Sequence, residues 1–270
     1  GTAVMGLGIL ESIRAEDEAL QRAFQRDADN ADNAVRNGLQ EPLRALEAMR
    51  GAADAAPQLD RDTFRRSAAA WAVDAPGLAA LGLSERVERA DVAAFEARER
   101  VSRPAFRVTE RWPADQAPAA DALTVIRFIE PLQPNATALG VNVRSIPSAR
   151  EAIAATARTG RPAATASFTL TQGGQGVVIY QALYRGEAGT AAEREAAYRG
   201  VVFATLRPAD MLRALESQLP ARLALCLVDT AARAGRVLQV GHLERFNAAI
   251  LAPAGTLGTP RLVESHRLAP

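Results

Sequence analysis

The sequence contains no lysine. All 32 of its basic residues are arginine, and with 31 acidic residues the net charge is +1. The absence of lysine excludes Schiff-base chemistry, a lysine general base and a P-loop lysine. A net charge near zero provides no overall field that would concentrate the chain on nucleic acid, so we expect no nucleic-acid partner. Cys226 is the single cysteine, which excludes an internal disulfide and a multi-thiolate metal site.

Aromatic residues are also scarce, at 5% of the chain, whereas hydrophobic residues make up 48%. Alanine is abundant, which favours long helices and cores built from small side chains. The chain has 270 residues, the size of one large domain or two small ones at about 150 residues per domain.

The first ten residues carry no charge, and charged residues begin at Glu11. A spanning helix needs about 20 apolar residues. Residues 1–11 can therefore be the end of a transmembrane segment but cannot cross a bilayer themselves. A buried helix end is the alternative.

A long amphipathic helix is predicted from Ser12 to about Met49, because apolar residues recur every three or four positions. At 1.5 Å per residue it would reach on the order of 50 Å, which suits a stalk on a membrane. We assign residues 12–66 to this stalk region; a packing helix in an ordinary bundle is the alternative. A stripe on the helix predicts pairing in a homodimer: Leu20, Phe24, Val35, Leu39 and Leu46.

The rest of the chain mixes strands and helices. A glycine-rich turn at 173–176 joins two strands, which indicates a hairpin rather than a phosphate-binding loop. Gly160 is predicted to end a helix in the left-handed conformation. Together these elements predict an α+β fold with mixed or antiparallel sheets. We predict helices at 87–100, 148–160 and 208–219, and strands at 123–129, 164–171, 177–184, 201–204 and 223–228.

Several short blocks stand out by their order and spacing: residues 75–81, 85–87, 94–96, 129–132, Asn135, 138–140, Arg150, 159–165, 170–172, the strand into Tyr184, 200–203 and 228–229. Together they make residues 12 to about 230 similar to the CHASE domain, an extracytoplasmic sensor module of histidine kinases and nucleotide cyclases.

This resemblance implies a membrane-anchored helix followed by two PAS-like units, the membrane-distal one at 67–185 and the membrane-proximal one at 186–270. It implies a periplasmic sensor of a two-component system that binds a small molecule, with no catalysis and no cofactor in this segment. The ligand contacts of plant members map by position near Gln133 and on Thr165. Because those receptors carry a carboxylate where we align Gln133, a purine-type hormone is not expected.

The residues themselves also indicate a pocket. A ligand pocket needs apolar walls with a few placed polar groups, which neighbouring strands could supply. The alternative is that these side chains fill the core. The candidate ligand-binding residues are Gln133, Thr165, Tyr184, Phe128, Phe168 and Tyr180, with Ile126 beside them.

A rival signal lies at the C-terminus. Residues 235–247 and 257–270 resemble segments of Gfo/Idh/MocA-type NAD-dependent oxidoreductases. That family needs a strand, a Gly-rich turn and a helix near the N-terminus to bind the dinucleotide, and usually a catalytic lysine. We find neither feature in this sequence. A fragment of such an enzyme or a fusion to one is the alternative function, and a spacer that binds nothing is a third. His242 and His266 lack a close third ligand, so no metal site is predicted.

Overall fold

The computed structural model describes the backbone of residues 2–56, 59–71, 75, 77–113, 121–170, 173–217, 224–229, 238–239 and 246–251, and the side chains at 15 and, within those ranges, from 18 to 217.

The predicted amphipathic helix is confirmed. Helix α1 spans Thr2–Ala55 and continues through Pro42; at 1.5 Å per residue it is about 80 Å long. A second helix, α2, spans Arg61–Ala69. It begins at Asp60, whose carboxylate accepts a hydrogen bond from the backbone amide of Thr63 at 2.8 Å. Such a cap satisfies one of the free amides of the first turn.

The centre of the molecule is an antiparallel sheet in the order β2-β1-β6-β5-β3-β8, and β4 pairs with β5. Strands β7 and β9 form a separate pair. The strands are β1 Leu78–Glu88, β2 Ala122–Glu130, β3 Ala163–Ala164, β4 Phe168–Thr169, β5 Gln175–Tyr184, β6 Tyr198–Leu206, β7 Ala224–Asp229, β8 Leu238–Gln239 and β9 Phe246–Leu251.

Strand β1 was not predicted, and the helix predicted from residue 87 begins only at Val92. The sequence of β1 is rich in alanine, leucine and glutamate, which favour helix. Tertiary pairing overrides this preference, because β1 lies between β2 and β6. A Cβ atom at Gly82 would lie 2.0 Å from the ring of Phe203, so only glycine allows this close approach.

Five shorter α-helices and three 3-10 helices, at Arg89–Asp91, Ala136–Ala138 and Val143–Ser145, complete the described fold. Gly160 follows α5 with φ of +70°, as predicted. Helix α5 begins at Pro147, one residue before the predicted start at 148, and proline is favoured in the first turn of a helix. The α-helices are α3 Val92–Arg100, α4 Leu132–Asn135, α5 Pro147–Thr159, α6 Ala191–Ala197 and α7 Pro208–Glu216.

Each face of the sheet has its own hydrophobic core. One face packs against α5, with Ile153, Tyr180 and Phe203 among the buried residues. The opposite face packs against α1 and α2, through residues that include Leu46 and Phe64. We call these the α5 face and the α1 face. This arrangement confirms the predicted α+β fold.

The stripe predicted for dimer pairing is largely used within the chain. Val35 and Leu39 are buried against Met211 of α7, and Leu46 is buried on the α1 face. The prediction that these three residues pair across a dimer axis is therefore wrong. Only Leu20 and Phe24 of the stripe are exposed, at 69% and 37%.

The predicted boundary at residues 185 and 186 falls within one sheet, since β6 lies between β1 and β5. The assignment of membrane-distal and membrane-proximal units stays a prediction. Within the described part of the chain, no helix combines the length and apolar character needed to cross a membrane.

Candidate functional site

Phe128 and Tyr180, predicted to share a wall, lie on opposite faces of the sheet. Tyr180 is buried on the α5 face, whereas Phe128 contacts Phe64 of α2 with ring centroids 5.4 Å apart. The cause is a β-bulge in β2, where residue 83 pairs with Phe128 and residue 84 with Ile126, so that Arg127 is the extra residue. A bulge shifts the alternation of side chains by one position. Phe128 therefore leaves the face that holds Ile126.

Thr165 is buried at the end of β3 and completes the pairing with β5. Its backbone amide donates to Val178 O at 2.9 Å, and its hydroxyl oxygen accepts from Val178 N at 3.1 Å. The hydroxyl keeps its own proton as a donor. Thr165 and Tyr180 are enclosed by protein, each with 2% of its surface exposed. A ligand could reach them only after neighbouring side chains move.

Tyr184 and Phe168 lie at the margin of the α5-face core and are half-buried. The hydroxyl of Tyr184 donates to the carbonyl oxygens of Thr156 and Ala157 at 3.0 and 2.9 Å, near the end of α5. Burial raises the pKa of Tyr184 above its ordinary value. Gln133 is exposed in the segment that follows β2. The predicted site residues thus divide into an enclosed pair, a half-buried pair and the exposed Gln133, with Phe128 on the other face.

Sequence reasoning missed a cavity of about 620 Å³ on the α1 face. It lies where α1 ends and α2 begins, against β1, β2, β5 and β6. We call it the arginine cavity. Its charged lining residues are Arg86, Arg98, Arg127, Arg185, Arg199, Asp60 and Glu85.

Two β-bulges place arginines on this face, on either side of β1. Arg127 is the extra residue of β2. Arg199 is the extra residue of β6, because residue 183 pairs with Gly200 and Tyr184 pairs with Tyr198. Bulges commonly re-aim a side chain near functional sites. Gly200 has φ of +148°, and a Cβ atom there would lie 2.2 Å from Ser84 O, so the second bulge requires glycine.

Two carboxylates hold the arginines of β2 and α3 in the wall. Glu99 of α3 is buried and accepts hydrogen bonds from Arg103 and from Arg127 Nε, the latter at 2.8 Å. Glu85 accepts from Arg98 Nη2 at 2.8 Å and from Arg127 Nη1 at 3.1 Å. Burial lowers the pKa of Arg103, and Glu99 opposes this change. The network holds Arg98 and Arg127 in place. Arg185, which directly follows β5, is exposed and takes no part in the network.

The model of the CHASE domain matches residues 57–239. The chain therefore belongs to the CHASE domain family, whose members are extracellular, non-catalytic sensor domains.

Among solved structures, the chain is similar to an extracellular ligand binding receptor from Desulfohalobium retbaense DSM5692. The identity is 10% and the TM-score 0.47, over 81% of this chain and 31% of that chain. The chain thus spans less than a third of that receptor's length. The comparison with curated proteins gave no match.

The comparisons do not support the resemblance of residues 234–270 to oxidoreductases. The CHASE match continues into this stretch as far as residue 239, and β8 pairs with β3 in the central sheet. His242 and His266 lie outside the described residues. Within the part that the structure describes, no group of three metal-ligating side chains occurs.

Proposed function

We propose that this chain is the extracytoplasmic, ligand-sensing domain of a transmembrane signalling receptor of the two-component type. It binds a small molecule and passes a conformational change to α1. The match of the CHASE model to residues 57–239 is the observation that carries this proposal. Binding needs no reactive side chain, so the absence of lysine is no obstacle.

The packing of α1 supports a route for the signal. From residue 31 to residue 53 the helix is buried against the sheet and α7, whereas Leu20 and Phe24 are exposed. A ligand that shifts the strands of the sheet would therefore also move α1, whose N-terminal half extends away from the core. Such a change is a shift between two arrangements that the ligand binds with different affinity.

We assign the ligand site of this proposal to the α5 face, with Thr165 and Tyr180 inside, Phe168 and Tyr184 at the margin, and Gln133 as a contact from the segment after β2. Screening small molecules by thermal shift tests it, because a ligand that binds only the folded state raises Tm. We expect at least one compound to raise Tm, and Gln133→Ala to weaken its binding measured by calorimetry. Gln25→Ala, on the exposed part of α1, is the control and should leave the affinity unchanged. A full screen without any shift would contradict the proposal.

Signal transmission has its own test. Cys226 is first replaced by serine, and spin labels are then attached to cysteines introduced at Arg22 in α1 and at Glu187 just after β5, both exposed. The pair of labels reports the distance between the helix and the core. The distance distribution should change when the ligand from the screen is added. An unchanged distribution with bound ligand would contradict transmission through α1.

We also propose that the domain forms a homodimer through the exposed part of the stripe. Leu20 and Phe24 are four residues apart and lie on one side of α1. Sedimentation equilibrium of the double variant Leu20→Glu, Phe24→Glu tests this proposal. We expect the variant to be monomeric at concentrations where the unsubstituted chain is dimeric, and equal behaviour of the two would contradict it.

A further inference from the structure

The arginine cavity combines an apolar wall with a cationic one. Leu59, Leu83 and Leu183 line it together with the five arginines named above. Its volume of about 620 Å³ lies within the range of about 300–1,000 Å³ typical of small-molecule sites. A surface of this kind suits a ligand that has an apolar body and a negative group.

The charges around the cavity leave one arginine, Arg185, without an acidic partner among the described residues. Five arginines face two carboxylates, Asp60 and Glu85. Neither carboxylate is free, because Asp60 caps α2 and Glu85 is held by Arg98 and Arg127. Both carboxylates are therefore already bonded to neighbouring groups. Four of the arginines are paired as well, Arg86 with Glu88, Arg98 and Arg127 with Glu85, and Arg199 with Asp54.

Arg185 has no hydrogen-bond or ion-pair partner for its side chain among the described residues, and it is exposed at the cavity. Its guanidinium presents a planar set of donors that matches a carboxylate or a phosphate in two-point contact. An anion in the cavity would give Arg185 the partner that the chain itself does not supply.

Arg199 lies on the same wall and is held in place by the backbone. Its Nε donates to Tyr184 O at 3.0 Å, and its Nη2 donates to Ala53 O at 2.9 Å and to Asp54 Oδ1 at 3.1 Å. The side chain of Asp54 is half exposed, so an incoming anion can take its place beside Arg199. A rigid arginine loses little conformational entropy when it binds a ligand.

We propose that the arginine cavity binds a small organic anion, a carboxylate or a phosphate with an apolar body, whose charged group is held by Arg185 and Arg199. The apolar body lies against Leu59, Leu83 and Leu183. This site is on the opposite face of the sheet from the ligand site proposed above. It also touches the last turn of α1, through Ala53.

Isothermal titration calorimetry of the whole chain tests the proposal with four probes: hexanoate, hexyl phosphate, inorganic phosphate and neutral hexanamide. We expect hexanoate or hexyl phosphate to bind and hexanamide not to bind. Affinity should fall as chloride is raised, since salt screens exposed charges. Tighter binding of hexanoate identifies a carboxylate site, and tighter binding of hexyl phosphate identifies a phosphate site. Binding of inorganic phosphate as tight as that of hexyl phosphate would overturn the role of the apolar wall.

Two variants locate the site. Arg185→Gln keeps the fold, because this side chain is exposed and bonds to no other described group, and it should weaken binding about tenfold through loss of a charge-assisted contact. Arg199→Gln should weaken it at least as much. The matched control is Arg213→Gln on α7, an exposed arginine with one acidic partner, which should leave affinity unchanged. Unaltered affinity in Arg185→Gln, or no binding of either organic anion at millimolar concentration, would overturn the proposal.

This result is independent of the sensor proposal. A ligand from the thermal-shift screen whose affinity depends on Gln133 but not on Arg185 would support the site on the α5 face. The anion site is decided separately, by the binding of the two organic anions and by their affinity for Arg185→Gln.

Discussion

Arg199 and Asp54 are 145 residues apart in sequence, yet Arg199 Nη2 donates a hydrogen bond to Asp54 Oδ1 at 3.1 Å. The same guanidinium donates to the carbonyl oxygen of Ala53. The extra residue of a bulge in β6 thereby holds the last turn of α1 on the sheet. This contact fixes where α1 ends relative to the sheet.

Arg199→Gln should loosen this junction. The variant loses charged donors to two backbone carbonyl oxygens, and we expect the free energy of unfolding to fall by about 2 kcal/mol. Amide exchange in the last turn of α1 should become faster. Asp54→Asn is the control, because it removes only a partly exposed ion pair and should cost less than about 1 kcal/mol. Equal losses in the two variants would contradict a role for the carbonyl contacts.

Glu99 should be among the most sensitive charged residues of the described chain. It is buried with Arg98, Arg103 and Arg127 around it, and removal of one partner leaves buried charge unpaired. We expect Glu99→Ala to lower the free energy of unfolding by about 3–5 kcal/mol. Urea denaturation measures it. Glu41→Ala, which removes an exposed pair with Arg44, should change stability by less than about 0.5 kcal/mol, and a similar loss in both would argue against the buried network.

Leu39 should contribute to folding rather than to dimer formation. It is buried against Met211 and Leu215, so Leu39→Ala is expected to cost about 2–4 kcal/mol of stability through the lost contacts and the cavity left behind. Leu20→Ala is the matched control at an exposed position of the same helix, and it should be nearly neutral. Guanidinium denaturation distinguishes them; a neutral Leu39→Ala would contradict the packing of α1 on α7.

Glycine substitutions should have opposite signs at two positions. Gly200→Ala places a Cβ against Ser84 O in a backbone conformation that alanine rarely adopts, and we expect it to destabilise the chain by about 2 kcal/mol or more. Gly51→Ala lies in α1 with no atom within 4 Å of the new Cβ. It should stabilise the chain by about 0.5–1 kcal/mol. Thermal unfolding of both variants tests this contrast, and a harmless Gly200→Ala would contradict the bulge.

The three tyrosines should all resist ionisation at high pH. Burial raises the pKa of Tyr180, Tyr184 and Tyr198 above the ordinary value of 10.0, and that of Tyr198 to about 12. Since the folded state holds these protons more tightly than the unfolded state, the stabilisation is complete below pH 10 and is lost as the pH rises above 10. For Tyr198 the loss extends to a pH of about 12.

The absorbance of tyrosinate measures this titration. In the folded chain little tyrosinate should form near pH 10, and most should form together with unfolding. The chain in guanidinium is the control and should titrate near its ordinary value. A folded chain that develops the full signal near pH 10 would contradict the burial of these side chains.

Much of the secondary structure followed from local patterns. The spacing of apolar residues predicted α1, a β-branched run predicted β2, and glycines predicted the end of α5 and the hairpin between β4 and β5. Strand β1 was missed because its alanine, leucine and glutamate residues favour helix on their own. Its pairing with β2 and β6 was decisive, and no local pattern contains that information.

The candidate site was predicted less well than the fold. Tyr180, Tyr184 and Phe168 pack in or beside the core of the α5 face, and their role in ligand binding, like that of Thr165, stays a prediction. Phe128 does not pack there, because the bulge at Arg127 changes the face on which it lies. Arg185 and Arg199 carried no signal in the sequence, since arginines are frequent throughout the chain.

The sequence by itself determined where α1 and most strands lie, the absence of lysine chemistry and the kinship with CHASE domains, because these depend on residue type and spacing along the chain. Only the tertiary structure decided which face each side chain occupies and which arginines line a cavity. The physical reason is that a bulge forms when one strand pairs with another, and a single extra residue there redirects the side chains on either side of it.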